Sequence, residues 1–501
     1  MPLSSPLSIV VVGGGFGGMA AALRMRALGH HVTLTERLGA LGGRAQVFER
    51  GGFRHDAGPT VITAPFLFEE LFALFGEQLS DVVRMVALDP WYRFHFSDGR
   101  QFDYCADMVA MERQIAAFNP ADIHGYQCLL EASRKIFEVG FVELADRPFL
   151  RFRDMLAQTP QLIRLGCYRT VSSMVEKYIR DASLQRVFSI HPLLVGGNPF
   201  STTSIYTLIH FLERHWGIHF CMGGTGRLVQ AMAELMHRQG VKVMLGTDVE
   251  SFVLTGNRVT GVRIQSGETL SADLVICNAD PPTVYREMMP KADTASLRSG
   301  RLLPESLTNY SMGLFVLFFG TSCTYPEVAH HTIWFGDRFR TLLRDIFDRG
   351  VLADDFSLYL HRPTATDPSF APHGCDSFYV LCPVPNLRAN IDWDQEGPRL
   401  RDRIVSALSR TVLPDLENTI REDFWMDPRD FRDQYRSRFG AGFSIAPTFW
   451  QSAWFRYHNR DPAINNLYFV GAGTHPGAGL PGVLSSAKVV ERLVRHQFGA
   501  T

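Results

Sequence analysis

The feature that most constrains the fold is a glycine-rich turn near the amino terminus. The apolar, β-branched run Ser8–Val12 leads directly into the sequence GGGFGG at 13–18, and an alanine-rich stretch follows at 19–28. This order predicts a strand, a tight turn and a helix. A second predicted strand, His31–Thr35, is followed by Glu36, about twenty residues beyond the glycines. Dinucleotide-binding folds carry an acid at this distance from the glycine turn. The pattern is typical of a Rossmann-type dinucleotide-binding fold.

Each position of this motif has a predicted role in holding a dinucleotide. Gly13 permits the tight turn, Gly15 lets the backbone approach a pyrophosphate, and Gly18 lets the helix pack closely against the strand. The start of the helix offers free N–H groups and the positive end of its dipole to the phosphates. Glu36 is expected to accept hydrogen bonds from the ribose hydroxyls. An ordinary glycine-rich turn is the alternative, but it leaves the flanking strand, helix and acid unexplained.

Length and composition predict either two domains or one domain with a large insertion. The chain has 501 residues, which exceeds the size at which a single hydrophobic core keeps growing. A formal net charge of −1 with 20% charged residues disfavours a nucleic-acid or other polyanionic partner. The 37 phenylalanines fit either a well-filled core or a large apolar ligand pocket, and both explanations stay open at this point.

The sequence predicts neither disulfide bonds nor a metal site. The eight cysteines include no C-x-x-C pair and have no histidine at metal-ligand spacing, so we expect reduced, buried thiols in a cytosolic protein. Residues 1–6 have neither the basic start nor the apolar core of a signal peptide. The longest apolar run, Met312–Phe319, has the length of a strand, so any membrane association is expected to be peripheral.

The segment from about 107 to 215 is predicted to be mostly helical, and part of it is basic and amphipathic. Between Arg147 and Arg186 it carries eight basic side chains against three acidic ones, interleaved with aromatic and aliphatic residues. This composition is typical of helices that lie in a membrane interface, and a solvated helix face over a core is the alternative. The nearly uncharged stretches His191–Phe200 and Ser204–Ile209 are predicted to line an apolar tunnel.

Two further glycine-containing stretches follow Glu36, namely LGGR at 41–44 and DAGPT at 56–60. Together with Glu36 they resemble the flavoprotein superfamily that includes amine oxidases and carotene desaturases, in which FAD rather than NAD fills the first glycine motif. Glycines that only cap secondary-structure elements are the alternative. The contacts implied by the resemblance are Gly43 and Arg44 for the pyrophosphate and flavin, and Gly58, Pro59 and Thr60 for the isoalloxazine ring.

A carboxy-terminal motif narrows the resemblance. A predicted strand at 465–469 leads into the sequence VGAGTHPGAGLPGV at 470–483, and a predicted helix follows at 484–494. This run resembles the signature of bacterial-type phytoene desaturases, and the likeness continues through 56–63, 193–208 and 452–460. In that family a turn like GGTG at 223–226 returns the chain to the FAD domain, which implies Val249 beside the adenine. The flavin contacts implied by the carboxy-terminal run are Gly471, Gly473, Thr474, Gly482 and Val483.

The resemblance also implies the fold class and the domain organisation. We expect an α/β chain with a discontinuous Rossmann-type FAD-binding domain, formed by 1–90, 220–290 and 455–501. An α+β substrate-binding domain is expected at 291–454, and a helical substrate-binding and membrane-associating part at 91–219.

The function implied by the resemblance is FAD-dependent desaturation of a long isoprenoid hydrocarbon, with 15-cis-phytoene converted stepwise to all-trans-lycopene. Such a substrate offers no hydrogen-bonding groups, so binding must come from apolar burial and selectivity from the length and shape of a tunnel. The expected electron acceptor is a quinone or oxygen, and the expected location is the cytoplasm, at the inner face of the cell membrane. The alternatives are a C30 diapophytoene desaturase, a carotenoid isomerase, a flavin amine oxidase and a prenyl-lipid-binding escort protein without chemistry.

For catalysis, a carboxylate is expected near the reacting carbons, where it could remove a proton or stabilise an allylic cation while the flavin accepts a hydride. Asp154, with Arg153 beside it, is the first candidate because acids are scarce in the apolar segment. An exposed helix charge is the alternative explanation of this pair. His191 and His475 are weaker candidates, since a lone histidine is more often structural.

Overall fold

A parallel sheet forms the centre of the nucleotide-binding half. The computed structural model describes residues 6–290 and 304–499. The sequence analysis expected no signal peptide at residues 1–6, and residues 1–5 of that segment lie outside the described residues. The strands of this sheet are β1 (Ser8–Val12), β2 (His31–Thr35), β9 (Lys242–Met244), β13 (Leu274–Cys277) and β19 (Leu467–Phe469). Their spatial order is β19-β13-β1-β2-β9, and every pairing is parallel. The strands predicted at 8–12 and 31–35 are confirmed.

Helices cover both the glycine turn and the sheet. They are α1 (Phe16–Ala27), α2 (Phe66–Ala73), α9 (Gly224–Arg238) and α15 (Leu480–Phe498). Ala20, Ala21 and Ala22 of α1 are fully buried, because their small side chains let α15 and the sheet pack closely on the helix. Helix α9 begins at Gly224, and in its first turn the Asp56 carboxylate accepts a 2.9 Å hydrogen bond from the Thr225 N–H. Helix α15 begins earlier than predicted, with Pro481 in its first turn.

A seven-stranded mixed sheet forms the base of the other half. Its strands are β6 (Tyr92–His95), β7 (Gln101–Tyr104), β14 (Gly313–Thr321), β15 (His331–Trp334), β16 (Leu358–His361), β17 (Ser377–Val384) and β18 (Ile420–Met426). Their order is β18-β14-β17-β16-β15-β6-β7, in which the β6–β15 pair alone is parallel. The hairpin of β6 and β7 forms one edge of this sheet.

Helices dominate the segment from 107 to 215, as predicted. They are α3 (Met108–Phe118), α4 (Asp122–Phe137), α5 (Phe152–Arg164), α6 (Val171–Tyr178), α7 (Ala182–Phe188) and α8 (Leu208–Trp216). The remaining helices are α10 (Pro281–Thr283), α11 (Phe339–Arg344), α12 (Trp393–Ser409), α13 (Leu416–Thr419) and α14 (Pro428–Tyr435). Helix α12 carries Pro398 within its first two turns.

Small sheets connect the two halves. Their strands are β3 (Val47–Arg50) with β4 (Phe53–Asp56), β5 (Met85–Ala87) with β8 (His219–Cys221), and β10 (Val249–Thr255), β11 (Arg258–Ile264) and β12 (Thr269–Ser271). The domain boundaries placed at 90, 219, 290 and 454 stay predictions. None of the helices within 6–290 and 304–499 is long and apolar enough to cross a membrane.

All eight cysteines are free thiols, as predicted. Six of them are buried, but Cys128 and Cys323 are half-buried, so the expectation of burial is wrong for these two. Burial raises the pKa of the Cys277 and Cys382 thiols to about 12, which keeps both protonated and unreactive near neutral pH.

Candidate active site

A single continuous cavity of about 550 Å³ runs from the glycine turn after β1 into the space between α8 and the seven-stranded sheet. Its nucleotide end is formed mainly by backbone, and its other end by apolar side chains. Most of the residues expected to hold a cofactor meet at its walls. They are Gly13, Gly15, Glu36, Gly43, Arg44, Gly58, Pro59, Thr60, Val249, Gly471, Gly482 and Val483.

The glycine turn places the first turn of α1 against the cavity. Gly13 has a φ of +96°, which favours glycine, and α1 begins immediately after Gly15. A Cβ on Gly18 would lie 1.9 Å from the Gly13 carbonyl oxygen, so a side chain at this position would push the helix off the turn. Gly18 therefore acts on packing, and it is absent from the described cavity wall.

Glu36 is buried at the end of β2 and lines the cavity. One carboxylate oxygen accepts a 2.7 Å hydrogen bond from the Gly14 N–H, and the other accepts one of 2.8 Å from the Leu38 N–H. These two bonds fix the acid beside the glycine turn, where a ribose would lie in a dinucleotide fold. Val249 lies at the same end of the cavity, as the adenine assignment requires.

Buried polar atoms without partners test whether the cavity fits a dinucleotide cofactor. Arg44 donates from Nη2 to the Ser437 hydroxyl over 3.1 Å, but its buried Nε has no partner within the described chain. Beside the cavity, the buried Asp280 accepts a hydrogen bond from Ser444 on Oδ1, while Oδ2 has no partner there. Burial lowers the pKa of Arg44 and raises that of Asp280. A phosphate and a hydroxyl would satisfy these two groups, so the residues present fit such a cofactor.

The loop that follows β19 is held by Arg456, which the sequence reasoning missed. This fully buried guanidinium donates to the carbonyl oxygens of Ala472 and Thr474 over 2.6 and 3.0 Å. Asn459 adds hydrogen bonds to the Thr474 hydroxyl and the His475 carbonyl. Thr474 and Gly473 therefore belong to the internal structure of the loop, and neither is part of the described cavity wall.

His475 lines the cavity at the junction of its two ends. Its Nε2 donates to the Leu144 carbonyl over 3.2 Å, and its ring packs edge-on against Phe149 at 5.0 Å. Burial lowers the pKa of His475 to about 4, so the ring is neutral near pH 7. The side chain can shape the cavity and donate a hydrogen bond, but it does not supply a positive charge there.

The apolar end of the cavity is called the corridor here. Its walls come from the two stretches predicted to line a tunnel, from α5 and the residues before it, and from strands of the seven-stranded sheet. The tunnel prediction is thereby confirmed for 193–195, 205–206 and 208–209, whereas the other residues of 191–200 and 204–209 do not belong to the described cavity wall. The apolar residues of the corridor wall include Leu144, Phe149, Leu162, Leu193, Leu194, Val195, Ile205, Leu208, Ile209, Met312, Leu314, Val316, Ile333 and Leu381.

Glu213, on α8, is the acid that lies in the corridor, and the sequence reasoning missed it too. Its side chain is 1% exposed; Oε1 accepts a 3.0 Å hydrogen bond from the Tyr92 hydroxyl, and Oε2 lies 2.8 Å from His191 Nε2. His191, a weaker candidate from the sequence, is thus paired with a buried carboxylate. An available signal was the polar pair His210 and Glu213, three residues apart in the otherwise apolar run LIHFLE at 208–213.

The structure places Asp154 and Arg153 away from the cavity. Asp154 is the third residue of α5, and its carboxylate accepts a 3.0 Å hydrogen bond from the N–H of Arg151, the residue that precedes the helix. The Arg153 Nε lies 3.9 Å from Asp154, and the two side chains are 73% and 39% exposed. Neither residue belongs to the described cavity wall. Their catalytic assignment stays a prediction, without support from this geometry.

The chain is similar to known proteins over nearly its whole length. A family model described as flavin containing amine oxidoreductase matches residues 16–490. A lycopene-forming phytoene desaturase from Pantoea ananas is 48% identical over 485 residues, covering 97% of this chain and 98% of that relative. A second, from Pseudescherichia vulneris, is 48% identical over 486 residues with the same coverage. A 4,4'-diapophytoene desaturase from Staphylococcus haemolyticus is 32% identical and covers 96% of this chain and 97% of that relative.

Solved structures share the fold at low sequence identity. An oxidoreductase from Methanosarcina mazei superposes with a TM-score of 0.64 at 15% identity, covering 97% of this chain and all of that one. A cyclohexylamine oxidase from Brevibacterium oxydans gives a TM-score of 0.62 at 14% identity, covering 99% of this chain and all of that one. At such identities the likeness concerns the fold alone.

Proposed function

The chain belongs to the flavin-containing amine oxidoreductase family and, within it, to the bacterial carotenoid desaturases, and from this premise we propose that it desaturates phytoene to lycopene with FAD as its cofactor. The observation that carries the proposal is the continuity of the cavity, in which the predicted cofactor residues open directly into an apolar corridor. The printed descriptions of the relatives from Pantoea ananas and Pseudescherichia vulneris support the choice of substrate and product.

FAD, when bound, supplies the acceptor for a hydride taken from the hydrocarbon. The residues that would hold it are Arg44 for the pyrophosphate, Glu36 for the ribose and the first turn of α1 for the phosphates. Arg456 keeps the loop at 471–475 in one conformation beside the flavin position.

The corridor binds the hydrocarbon by excluding water from it. Apolar burial stabilises such a ligand by about 25 cal/mol for each Å² removed from water, so the walls need shape and not hydrogen-bond donors. Desaturation removes a proton along with the hydride, which requires a base within reach of the substrate. Of the acidic residues on the described cavity wall, Glu36 and Asp248 lie at the nucleotide end, and Glu213 lies in the corridor. We therefore propose Glu213, paired with His191, as the group that accepts the proton.

Entry of the substrate is proposed from a membrane surface. Phe152, Leu156 and Ile163 on α5 are exposed, while Leu162 of the same helix lines the corridor. Trp450 is exposed as well. It lies near the start of α5, because its ring contacts Phe455, and the neighbouring Trp454 contacts Phe152, the first residue of that helix. An apolar face with basic neighbours such as Arg151 and Arg153 suits the headgroup region of an anionic bilayer. A hydrocarbon dissolved in the bilayer would then reach the corridor without crossing water.

The test is to incubate the purified protein with FAD and liposomes that contain phytoene, and to record the absorption spectrum of the extracted pigment. The expected result is a red pigment with the resolved visible bands of lycopene. Parallel reactions with a quinone under nitrogen and with air distinguish the two electron acceptors. Parallel C30 and C40 substrates distinguish the proposed activity from diapophytoene desaturation. A flavin-loaded protein that leaves phytoene colourless, or that only changes the geometry of existing double bonds, would contradict the proposal.

A further inference from the structure

Three buried histidines meet behind the corridor wall, in a cluster for which neither desaturation nor FAD binding has a use. His330 precedes β15, His331 opens it, and His361 ends the neighbouring β16, where it pairs with His331 across the sheet. They are 5%, 0% and 1% exposed. One ring nitrogen from each lies within 4.8 Å of those of the other two.

Four ring nitrogens of this cluster have no hydrogen-bond partner within the described residues. His330 Nε2, His331 Nε2 and both ring nitrogens of His361 are buried and unpaired within 6–290 and 304–499. An unpaired buried polar atom costs about 1–3 kcal/mol, so four of them in one place need a partner that protein groups do not supply.

The opposite nitrogens are hydrogen-bonded in the way that metal-binding histidines require. His330 Nδ1 lies 2.7 Å from the Thr366 hydroxyl, and His331 Nδ1 lies 2.7 Å from the Tyr359 hydroxyl. When each Nδ1–H donates to its hydroxyl, the lone pair of each Nε2 points away from that bond and is free to bind a cation. Such a second contact fixes both the tautomer and the orientation of the ring.

We propose that His330, His331 and His361 bind one divalent transition-metal ion, with Zn²⁺ as the first candidate. Three imidazole nitrogens suit Zn²⁺ at tetrahedral geometry, and a water or hydroxide completes the fourth position. Burial lowers the pKa of all three rings, that of His331 to about 3, which keeps them neutral and able to coordinate near pH 7. The sequence reasoning missed this site because adjacent histidines with a third some thirty residues later match no common metal-ligand spacing.

The ion would act on the flavin end of the cavity through one chain of contacts. The Tyr359 hydroxyl, which lies 2.7 Å from His331, also lies 2.9 Å from the Thr60 hydroxyl. Tyr359 and Thr60 both line the cavity, whereas the three histidines are absent from its described wall. Metal binding would thus hold His331, Tyr359 and the loop around Thr60 in fixed positions relative to one another. This is a positioning role and not a catalytic one.

The experiment measures metal in the purified, untagged, FAD-loaded protein after gel filtration in metal-free buffer. Inductively coupled plasma mass spectrometry is expected to find about one Zn²⁺ for each chain in the wild type. His361→Gln is expected to lose it. His95→Gln is the matched control and should retain it, since His95 lies on the adjacent β6 and has its own buried, unpaired Nε2 but stands outside the cluster.

A second measurement does not depend on the folding of a variant. Wild-type protein produced with Co²⁺ in place of Zn²⁺ should show the electron paramagnetic resonance signal of high-spin Co²⁺ with nitrogen ligands, which the flavin does not produce. Tyr359→Phe, which removes the hydrogen bond to His331, should weaken metal binding by about 10- to 100-fold in competition with a chelator. Wild-type protein without metal and without a Co²⁺ signal would overturn the proposal, and so would equal metal content in the wild type and a folded His361→Gln.

Discussion

The two ends of the cavity recognise their ligands by different means. The nucleotide end is made of backbone brought together by short motifs that are continuous in the sequence, such as the turn at 13–18 and the loop at 471–475. The corridor is made of side chains contributed by segments as distant as Leu144 and Leu381. A backbone cradle tolerates no added atoms, whereas a wall of apolar side chains responds gradually to changes in volume. Substitutions at the two ends should therefore fail in different ways.

The largest effect is expected from Gly18→Ala at the nucleotide end. The new Cβ would meet the Gly13 carbonyl oxygen at 1.9 Å, and because this oxygen belongs to the backbone the whole turn must move. We expect complete loss of bound FAD, measured as the flavin absorbance for each chain, and no desaturation.

Gly39→Ala is the matched control, since a Cβ at Gly39 meets nothing within 4 Å and its φ is ordinary. It should retain FAD in full. A flavin-loaded Gly18→Ala protein would show that the cradle is not specified by close backbone packing.

A smaller effect is expected from Glu213→Gln in the corridor. If Glu213 accepts the substrate proton, its amide should lower turnover by about 100-fold, the usual size of a general-base contribution. FAD content should not change, because Glu213 is hydrogen-bonded to Tyr92 and His191 and is not one of the residues predicted to hold the cofactor. The measurement is initial-rate kinetics with phytoene liposomes, alongside flavin absorbance. Unchanged turnover in a flavin-loaded variant would leave Glu213 with only its hydrogen bonds to Tyr92 and His191.

Leu193→Trp should sharpen the comparison further. Adding a large ring to the corridor wall costs about 1–3 kcal/mol of packing or substrate binding, and each 1.4 kcal/mol is a factor of ten. We expect turnover of the C40 substrate to fall by about 10-fold while FAD remains bound. Val109→Trp adds the same ring at an exposed position of α3 and should leave turnover unchanged. Loss of FAD from Leu193→Trp would show that the two ends are not independent.

The same difference explains which parts of the molecule the sequence could predict. The strands at 8–12 and 31–35 and the glycine turn were predictable, because strand, turn and helix follow one another within thirty residues and each glycine has a local reason. The nearly uncharged stretches at 191–200 and 204–209, parts of which line the corridor, were predictable from their lack of charge.

The groups that the sequence did not reveal depend on contacts between distant segments. Arg456 is one arginine among many until the fold buries it under the 471–475 loop. Glu213 meets Tyr92 across 121 residues, and His331 meets His361 only through the pairing of β15 with β16. Asp154 was chosen for its rarity in an apolar segment, but a carboxylate in the first turn of a helix also accepts a hydrogen bond from a free backbone N–H and interacts favourably with the helix dipole.

A separate effect, measured on stability and not on turnover, is expected when the pH is lowered. Burial lowers the pKa of His475 from 6.5 to about 4 in the fold, whereas the ring titrates near 6.5 in the unfolded chain. The neutral ring therefore stabilises the fold fully above pH 6.5, and this contribution is lost as the pH falls from 6.5 towards 4. It amounts to about 3 kcal/mol, since one pKa unit is about 1.4 kcal/mol.

His475→Gln should remove this dependence, because an amide does not titrate and can still donate to the Leu144 carbonyl. Between pH 7 and 4.5 the melting temperature of the wild type should fall more than that of the variant. His237→Gln, on the exposed surface of α9, should behave as the wild type does. Parallel curves for the wild type and His475→Gln would mean that His475 is not neutral in the fold.

The smallest effect is expected from Asp154→Asn, and it decides between the two candidate acids. The amide oxygen of Asn can still accept the Arg151 N–H, so only the charge at the start of α5 is lost, which is worth about 0.3–1 kcal/mol at an exposed site. Turnover with FAD bound should stay within about 2-fold of the wild type, because the carboxylate lies outside the described cavity wall. A loss of about 100-fold in Asp154→Asn, with an active Glu213→Gln, would reverse the assignment. It would mean that the amino-terminal turn of α5 moves into the corridor when the helix meets a membrane, and that the wall seen here is that of the protein away from its lipid.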